Sequence, residues 1–309
     1  MMKESIIATD KHGDLHRLTR LYAALSPASP RQIPSPPFPT SHWLSCGSNQ
    51  SKLFDLLIQP EDQITQDEIE VGHDWKLAFW KRVVLSIEAG LRELNNPEEE
   101  IDERILKFYI SLQNQSNKRV RELRRYYYGP LRDPKLWSRI EILENRESIG
   151  HGTTGLKSWG ASICLANYLI LNPHLIENKS ILELGSGTGL LGILVHQLDP
   201  SKEVHLTDCN PLVLDRLRHN AHLNRAGENL KIDHLDWNTP QISNLKPKFS
   251  KPQVVLAADV IYDPDLVLAL VDTICYFLQE SFDCRSASAM VCSTVRDPET
   301  WELFLSVCS

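Results

Sequence analysis

Hydrophobic positions follow two rhythms along this chain, and the change of rhythm divides it. Between residues 64 and 94 apolar side chains fall at helical spacing. Trp75, Phe79 and Val83 share one face, with Trp80, Val84, Ile87 and Leu91 beside them. Pro60-Glu61-Asp62 reads as the start of this helix and Asn95-Asn96-Pro97 as its stop. Residues 98–128 repeat the helical pattern, with Ile101, Ile105, Leu106, Phe108, Tyr109 and Leu112 as candidate core. From residue 151 onward short apolar runs (181–184, 204–207, 230–234, 253–257, 289–294) alternate with longer amphipathic stretches (161–171, 190–195, 211–224, 264–278, 298–305). Such alternation predicts an α/β fold, a Rossmann-like doubly wound, mostly parallel sheet with right-handed crossovers. An all-helical domain precedes it.

The expected domains are residues 1–59 as an extended, Pro/Ser-rich segment, 60–145 as the helical domain and 146–309 as the α/β domain. Prolines and serines crowd residues 26–41 (SPASPRQIPSPPFPTS), a composition that buries little. A basic run, KRVRELRR at 118–125, precedes Tyr126, Tyr127 and Tyr128. Basic residues beside aromatics suit RNA or an acidic protein surface; a solvated helix face is the commoner meaning. After Leu305 few residues remain, so the sheet is expected to lack its C-terminal strands through truncation.

The stretch 180–210 carries the chemistry. Ile181, Leu182 and Leu184 form a buried strand, followed by Gly185, Gly187 and Gly189 and then the apolar helix that Leu190 opens. A second strand ends on Asp208. Strand, glycine turn, helix, strand and acid make the nucleotide-binding half of a doubly wound sheet. Glycines let backbone pass close under a ligand, and the helix N-terminus offers free N–H groups. A carboxylate at 208 can accept from both hydroxyls of a ribose. The dinucleotide fingerprint needs a glycine at 190, where the chain has Leu190. No Gly-Lys-Ser/Thr follows, which excludes a phosphate loop. Glu183, two residues before the first glycine, is expected to bond the N–H groups of the turn and order it.

Composition narrows the setting. The 309 residues are 42% hydrophobic and 24% charged, ordinary for a globular chain. Net charge is −7, so no global field draws the chain to nucleic acid or acidic membrane. Seven scattered cysteines show no Cys-x-x-Cys, so neither a metal centre nor a disulfide framework is expected. A reduced compartment fits, and the absence of an apolar leader or membrane span makes the cytoplasm the default.

Further chemistry sits where other strands end. Strand three runs into Asp236-Trp237, and strand four into Ala258, Asp259 and Tyr262. In open α/β sheets ligands lie outside these carboxyl ends. Trp237 suits an adenine face, Asp236 its exocyclic amine, and Ala258 a close approach.

The acidic-x-Gly-x-Gly-x-Gly run resembles motif I of the class I (seven-β-strand) S-adenosylmethionine-dependent methyltransferases. Asp259-x-x-Tyr262, Asp236-Trp237 and a Trp before the glycines (Trp159) resemble the protein-lysine branch of that class. HGTTGLKSW (151–159), LELGSGTGL (182–190), LDW (235–237), LAADVIY (256–262) and STVRDPETWELF (293–304) are similar to the elongation factor 2 lysine methyltransferase family, over about half the chain. The resemblance implies S-adenosyl-L-methionine held by Trp159, Gly185, Ser186, Gly187, Trp237 and Ala258. It also implies methyl transfer to a lysine of elongation factor 2. Methyl transfer is an in-line displacement that demands a positioned lone pair. A lysine has a pKa of about 10.4, so roughly one amine in a few thousand is neutral at pH 7. Asp259 would receive the arriving ammonium and Tyr262 would orient the amine. A small-molecule methyltransferase, a non-catalytic cofactor-binding protein and a nicotinamide oxidoreductase stand as the alternatives.

Overall fold

The computed structural model describes residues 11–23, 31, 33, 35, 37–58, 72–94, 99–114, 121–130, 136–145, 152–238, 252–279 and 287–309. By internal contacts the chain divides into two compact units, residues 1–139 and 140–309. Several sequence readings fall outside the described residues: the proline-rich stretch 26–30, the helix start at 60–62 with residues 64–71, the stop at 95–97, the basic residues 118–120, and His151.

The first unit contains helices α1 (Lys11–Ala23), α2 (Ser41–Leu44), α3 (Gly47–Leu57), α4 (His73–Leu94) and α5 (Glu103–Asn114), then strand β1 (Arg121–Tyr128). Its core is aromatic. Tyr22, Phe79 and Trp80 are almost wholly buried, with Leu18, Leu44, Leu53 and Ile105 around them. Tyr22 meets Phe79 edge-on at 4.9 Å, and Trp80 Nε1 donates to the Tyr22 hydroxyl at 2.8 Å. The bond satisfies the one polar handle the indole brings into the core.

Two expectations for this half are corrected. Residues 1–59 are not simply extended, because α1, α2 and α3 supply much of the core. Leu15, Leu18 and Tyr22 fall at i, i+3 and i+7, a helical stripe that the prolines downstream do not interrupt. Nor is 60–145 all helical. Residues 121–128 form a strand, as do residues 138–145. Three successive tyrosines favour extended backbone, and the described part of the basic run therefore lies on a strand rather than a helix face.

The second unit comprises strand β2 (Ser138–Asn145), helix α6 (Gly160–Leu171), β3 (Ile181–Leu184), α7 (Leu190–Leu198), β4 (Val204–Asp208), α8 (Pro211–Leu223), β5 (Leu230–His234), β6 (Val254–Ala258), α9 (Pro264–Gln279), β7 (Ser288–Cys292) and α10 (Pro298–Val307). Five strands form one sheet in the order β5-β4-β3-β6-β7, every pair parallel. The doubly wound α/β sheet expected from the sequence is present. Ile181 aligns with Val204 on one side and Val254 on the other, so strands β3, β4 and β6 start level and end within one residue of one another. From β3 the chain winds outward through β4 to β5, then returns to lay β6 on the other side. The order reverses at β3, and the crevice beside its C-terminal end is the switch point at which such sheets take ligands.

Strand β2 lies outside this sheet. Two asparagines of the α8 segment bond its backbone at Glu141 and Leu143. Asn220 accepts from Leu143 N–H at 2.9 Å and donates to Leu143 C=O at 3.2 Å. Asn224 likewise accepts from Glu141 N–H at 2.9 Å and donates to its C=O at 2.6 Å. Each amide thus imitates one rung of a β ladder.

Candidate active site

The glycine turn leaves β3 with Gly185, Gly187 and Gly189 all at positive φ, +64°, +54° and +87°. Space excludes a side chain as firmly as the dihedrals do. A Cβ on Gly185 would meet Val260 at 2.8 Å and the Trp237 ring at 3.4 Å; one on Gly189 would meet Leu217 at 2.3 Å. Ser186 stitches the turn to β4, its N–H donating to Thr207 C=O at 2.8 Å and its hydroxyl accepting from Thr207 N–H at 3.1 Å. Helix α7 starts immediately after the turn.

Asp208 stands at the end of β4 beside the turn. One oxygen accepts from Gly187 N–H at 3.2 Å, the other from Asn210 N–H at 3.0 Å. Burial raises its pKa. Asn210 does the capping of α8, accepting from Leu212 and Val213 N–H, which leaves Asp208 for the cavity. Leu235 N–H donates to Asp208 C=O at 3.1 Å and so sets the segment that carries Asp236 and Trp237. Asp236 accepts from Asn238 N–H with one oxygen, at 3.0 Å.

These groups line a single cavity of about 410 Å³, which Trp159, Ser186, Gly187, Ala258, Asp259 and Tyr262 also line. All ten residues singled out from the sequence meet there. The volume is within the range of small-ligand pockets.

The Glu183 carboxyl is wholly buried, and burial pushes its pKa up to about 8. The Ser186 side chain in the turn and the Gly192 backbone in α7 interact with the carboxyl and hold its pKa down in part. Oε2 has no hydrogen-bond partner among the described residues. It lies under the first turn of α7, where a Cβ on Gly192 would come within 2.5 Å of it.

Asp259 departs from the role expected for it. It lines the cavity, but its carboxylate is not open to receive an ammonium. Arg296 donates to both oxygens, at 2.8 and 3.0 Å, and Thr294 N–H adds a bond at 3.1 Å. Burial alone would raise this pKa; the Arg296 and Thr294 bonds outweigh it and hold the group below the usual carboxylate range. The backbone at Asp259 has φ +61°, fixed by its N–H donating to Cys292 C=O at 2.8 Å. Tyr262 is half-exposed, and its hydroxyl bonds the Thr154 side chain. Burial raises the phenol.

Sequence reasoning missed Arg296 and the support for the 152–159 segment. The Arg296 guanidinium lies over the Trp159 ring at 4.9 Å, and Trp159 Nε1 donates to Thr154 C=O at 3.0 Å. The Ser158 and Thr188 hydroxyls share a hydrogen bond at 2.8 Å, and Ser158 N–H donates to Glu144 at 2.9 Å. Asn220, beyond its bonds to β2, donates to Thr188 C=O at 2.9 Å. Strand β2, α8 and the glycine turn are thereby tied through one amide. Arg296 lies in a quoted run, STVRDPETWELF, but nothing in that run names its partner. Among the described residues no group of His, Cys, Asp or Glu could hold a metal ion, and no helix is long and apolar enough to cross a membrane.

Known proteins share this half of the chain. A family model described as lysine methyltransferase matches residues 138–305. The human protein-lysine N-methyltransferase EEF2KMT is 35% identical over 176 residues, 53% of this chain and 53% of that protein. Protein-lysine N-methyltransferase EFM3 of Chaetomium thermophilum is 32% identical over 190 residues, 59% of this chain and 55% of that one. The calmodulin-lysine N-methyltransferase of Arabidopsis thaliana is 31% identical over 124 residues, 39% of each. The chain spans about half the length of the first two.

Proposed function

From the match over residues 138–305 the chain belongs to the lysine methyltransferase family, and on that premise we propose that it transfers a methyl group from S-adenosyl-L-methionine to a lysine of translation elongation factor 2. The observation that carries this reading is the convergence of four strand ends on one cavity, with Asp208, Trp237 and Tyr262 in its lining. The relatives reported above act on different proteins by name, and lysine is what those names share. Elongation factor 2 is favoured because the longer matches are to EEF2KMT and EFM3 and because of the motifs quoted above. A protein substrate met in the cytoplasm is part of the same reading.

The cavity suits the cofactor. Each Asp208 oxygen uses one lone pair on backbone and keeps another for a ribose hydroxyl. Trp237, already packed against Gly185, offers its face to adenine, and the second Asp236 oxygen is available to the exocyclic amine. Trp159, Gly185, Ser186, Gly187 and Ala258 complete the walls. Ser186 contributes shape, since its hydroxyl already serves β4. When bound, S-adenosyl-L-methionine supplies a methyl carbon made electrophilic by its sulfonium.

This chain's own residues deal with the acceptor. Keeping a lysine neutral at pH 7 costs about 4–5 kcal/mol at its unperturbed pKa. A partly dry pocket lowers that cost, because desolvation penalises the ammonium. The Tyr262 hydroxyl interacts with the Thr154 side chain, and in this reading it holds the amine in line. Asp259 acts as half of an ion pair rather than as a bare acceptor.

The test is methyl transfer from tritiated S-adenosyl-L-methionine to purified elongation factor 2 by the full chain. Label on one lysine-containing peptide is the expected result. Label on a small molecule and none on protein would overturn the reading.

A further inference from the structure

We infer that Arg296 is a positioning residue for the transfer: it cancels the charge of Asp259 before an amine arrives and holds the opposite wall of the cavity through Trp159. The inference rests on the lysine reading above and adds a residue to it.

Connectivity comes first. Asp259 and Tyr262 lie three apart, yet they are also joined the long way round. Arg296 grips Asp259 with both arms of its fork, at 2.8 and 3.0 Å, and covers the Trp159 ring at 4.9 Å. Trp159 Nε1 donates to Thr154 C=O, and the Thr154 side chain bonds the Tyr262 hydroxyl. The ring of contacts closes: Asp259, Arg296, Trp159, Thr154, Tyr262. Planar, bidentate and stacked contacts are what a guanidinium provides and an ammonium does not.

Charge comes second. The Asp259 side chain is 2% exposed and that of Arg296 is 43% exposed, so the guanidinium is the solvent-facing partner. Around the cavity stand the acids Asp208, Asp236 and Asp263, with Glu183 holding its proton, against a single lining cation, Lys157. Cys292 and Cys164 face Asp259 from β7 and α6, with the Cys292 thiol pushed up by burial and by Cys164. A bare carboxylate at 259 would stabilise an ammonium and raise the acceptor's pKa, against the need for a free lone pair. Paired with Arg296, the site is neutral there. Arg296 is not among the lining residues, so it acts on the arriving amine through Asp259, by cancelling a charge that would otherwise hold the proton on it.

The experiment is the pH profile of kcat/KM for elongation factor 2 with the full chain, its Arg296→Met, Arg296→Lys and Asp259→Asn variants, and S-adenosylhomocysteine titrations alongside. Arg296→Met should move the rising limb to higher pH by about one unit, on the order of a tenfold loss at neutral pH that high pH restores. Asp259→Asn, which leaves the guanidinium uncancelled, should move it the other way. Arg296→Lys keeps the charge and loses the fork, so kcat falls while the midpoint stays. The S-adenosylhomocysteine titrations report separately any loss carried through Trp159, a wall of the cofactor cavity, which lowers affinity alike at every pH and leaves the midpoint of the profile where it is. Arg296→Met lowering the rate equally at every pH, or both charge variants moving the profile in one direction, would overturn the inference. Should Arg296→Met fail to bind S-adenosylhomocysteine, Asp259→Asn decides: an unmoved or alkaline-shifted profile rejects it. If the unsubstituted chain binds S-adenosylhomocysteine but labels no protein, the lysine reading itself fails and this inference goes with it.

Discussion

Glu183→Gln offers the sharpest check on the physics of the cavity floor. Glu183 is fully buried in β3, and its pKa rises from an ordinary 4.5 to about 8. In the native chain it therefore keeps a proton that the unfolded chain releases between those values. The native state binds more protons in that window, so stability falls as pH rises through it. Each pKa unit is worth about 1.4 kcal/mol, which gives a full span of about 5 kcal/mol, of which about 4 kcal/mol is lost between pH 5 and pH 9. Glutamine has the shape of the protonated acid and no charge to release. The variant should lack this loss, whatever the other groups contribute, because those cancel in the difference. Oε2 has no partner among the described residues, so the added amide protons offset some of the gain by about 1–2 kcal/mol at every pH. The assay is urea unfolding of both proteins at pH 5, 7 and 9, read by hydrogen exchange in β3 and β4. Two stability curves that run parallel with pH would refute the reasoning, for then Glu183 is ionised in the native fold, its bonds to Ser186 and Gly192 outweighing burial.

Other outcomes follow from the same geometry. Asp208→Ala should weaken S-adenosylhomocysteine binding about tenfold to a hundredfold by calorimetry, from loss of charge-assisted bonds to the ribose; a twofold change would remove Asp208 from the site. Tyr262→Phe should lower kcat for the protein substrate by about tenfold and leave S-adenosylhomocysteine affinity alone; an equal loss in both would make the hydroxyl structural. Asn220→Ala strips three buried bonds to Leu143 and Thr188 and should cost about 2–4 kcal/mol in thermal or urea unfolding, with exchange rising first at 141–145; an unchanged midpoint would contradict the bridging role.

The α/β half could be read closely from sequence because its signals are local. Ile181 to Leu184, the three glycines and Asp208 each declare a conformation through their own chemistry, and the expected strands lie within a residue or two of those observed. The N-terminal half was harder for a physical reason. The contribution of α1 depends on Tyr22 reaching Trp75, Phe79 and Trp80, some fifty or more positions on, and a proline-rich stretch between them draws the eye to extended chain. The strand at 121–128 was hidden by arginines whose spacing also suits a helix. At the site, positions were legible and partners were not. Asp259 sits where the strand pattern puts it, but the Arg296 fork that occupies it comes from beyond the next strand, a pairing that only the sheet order creates.

The left-handed backbone at Asp259 also limits how this cavity can be redesigned. At φ +61° a β-branched or bulky side chain costs about 1–2 kcal/mol or more, whereas Gly and Asn fit with little penalty. A saturation library at position 259 is thus expected to yield well-folded clones for few amino acids besides the native one, whichever acceptor is selected for. Diversity aimed at new acceptors is better spent on Tyr262 and Thr154, where the backbone places no such filter.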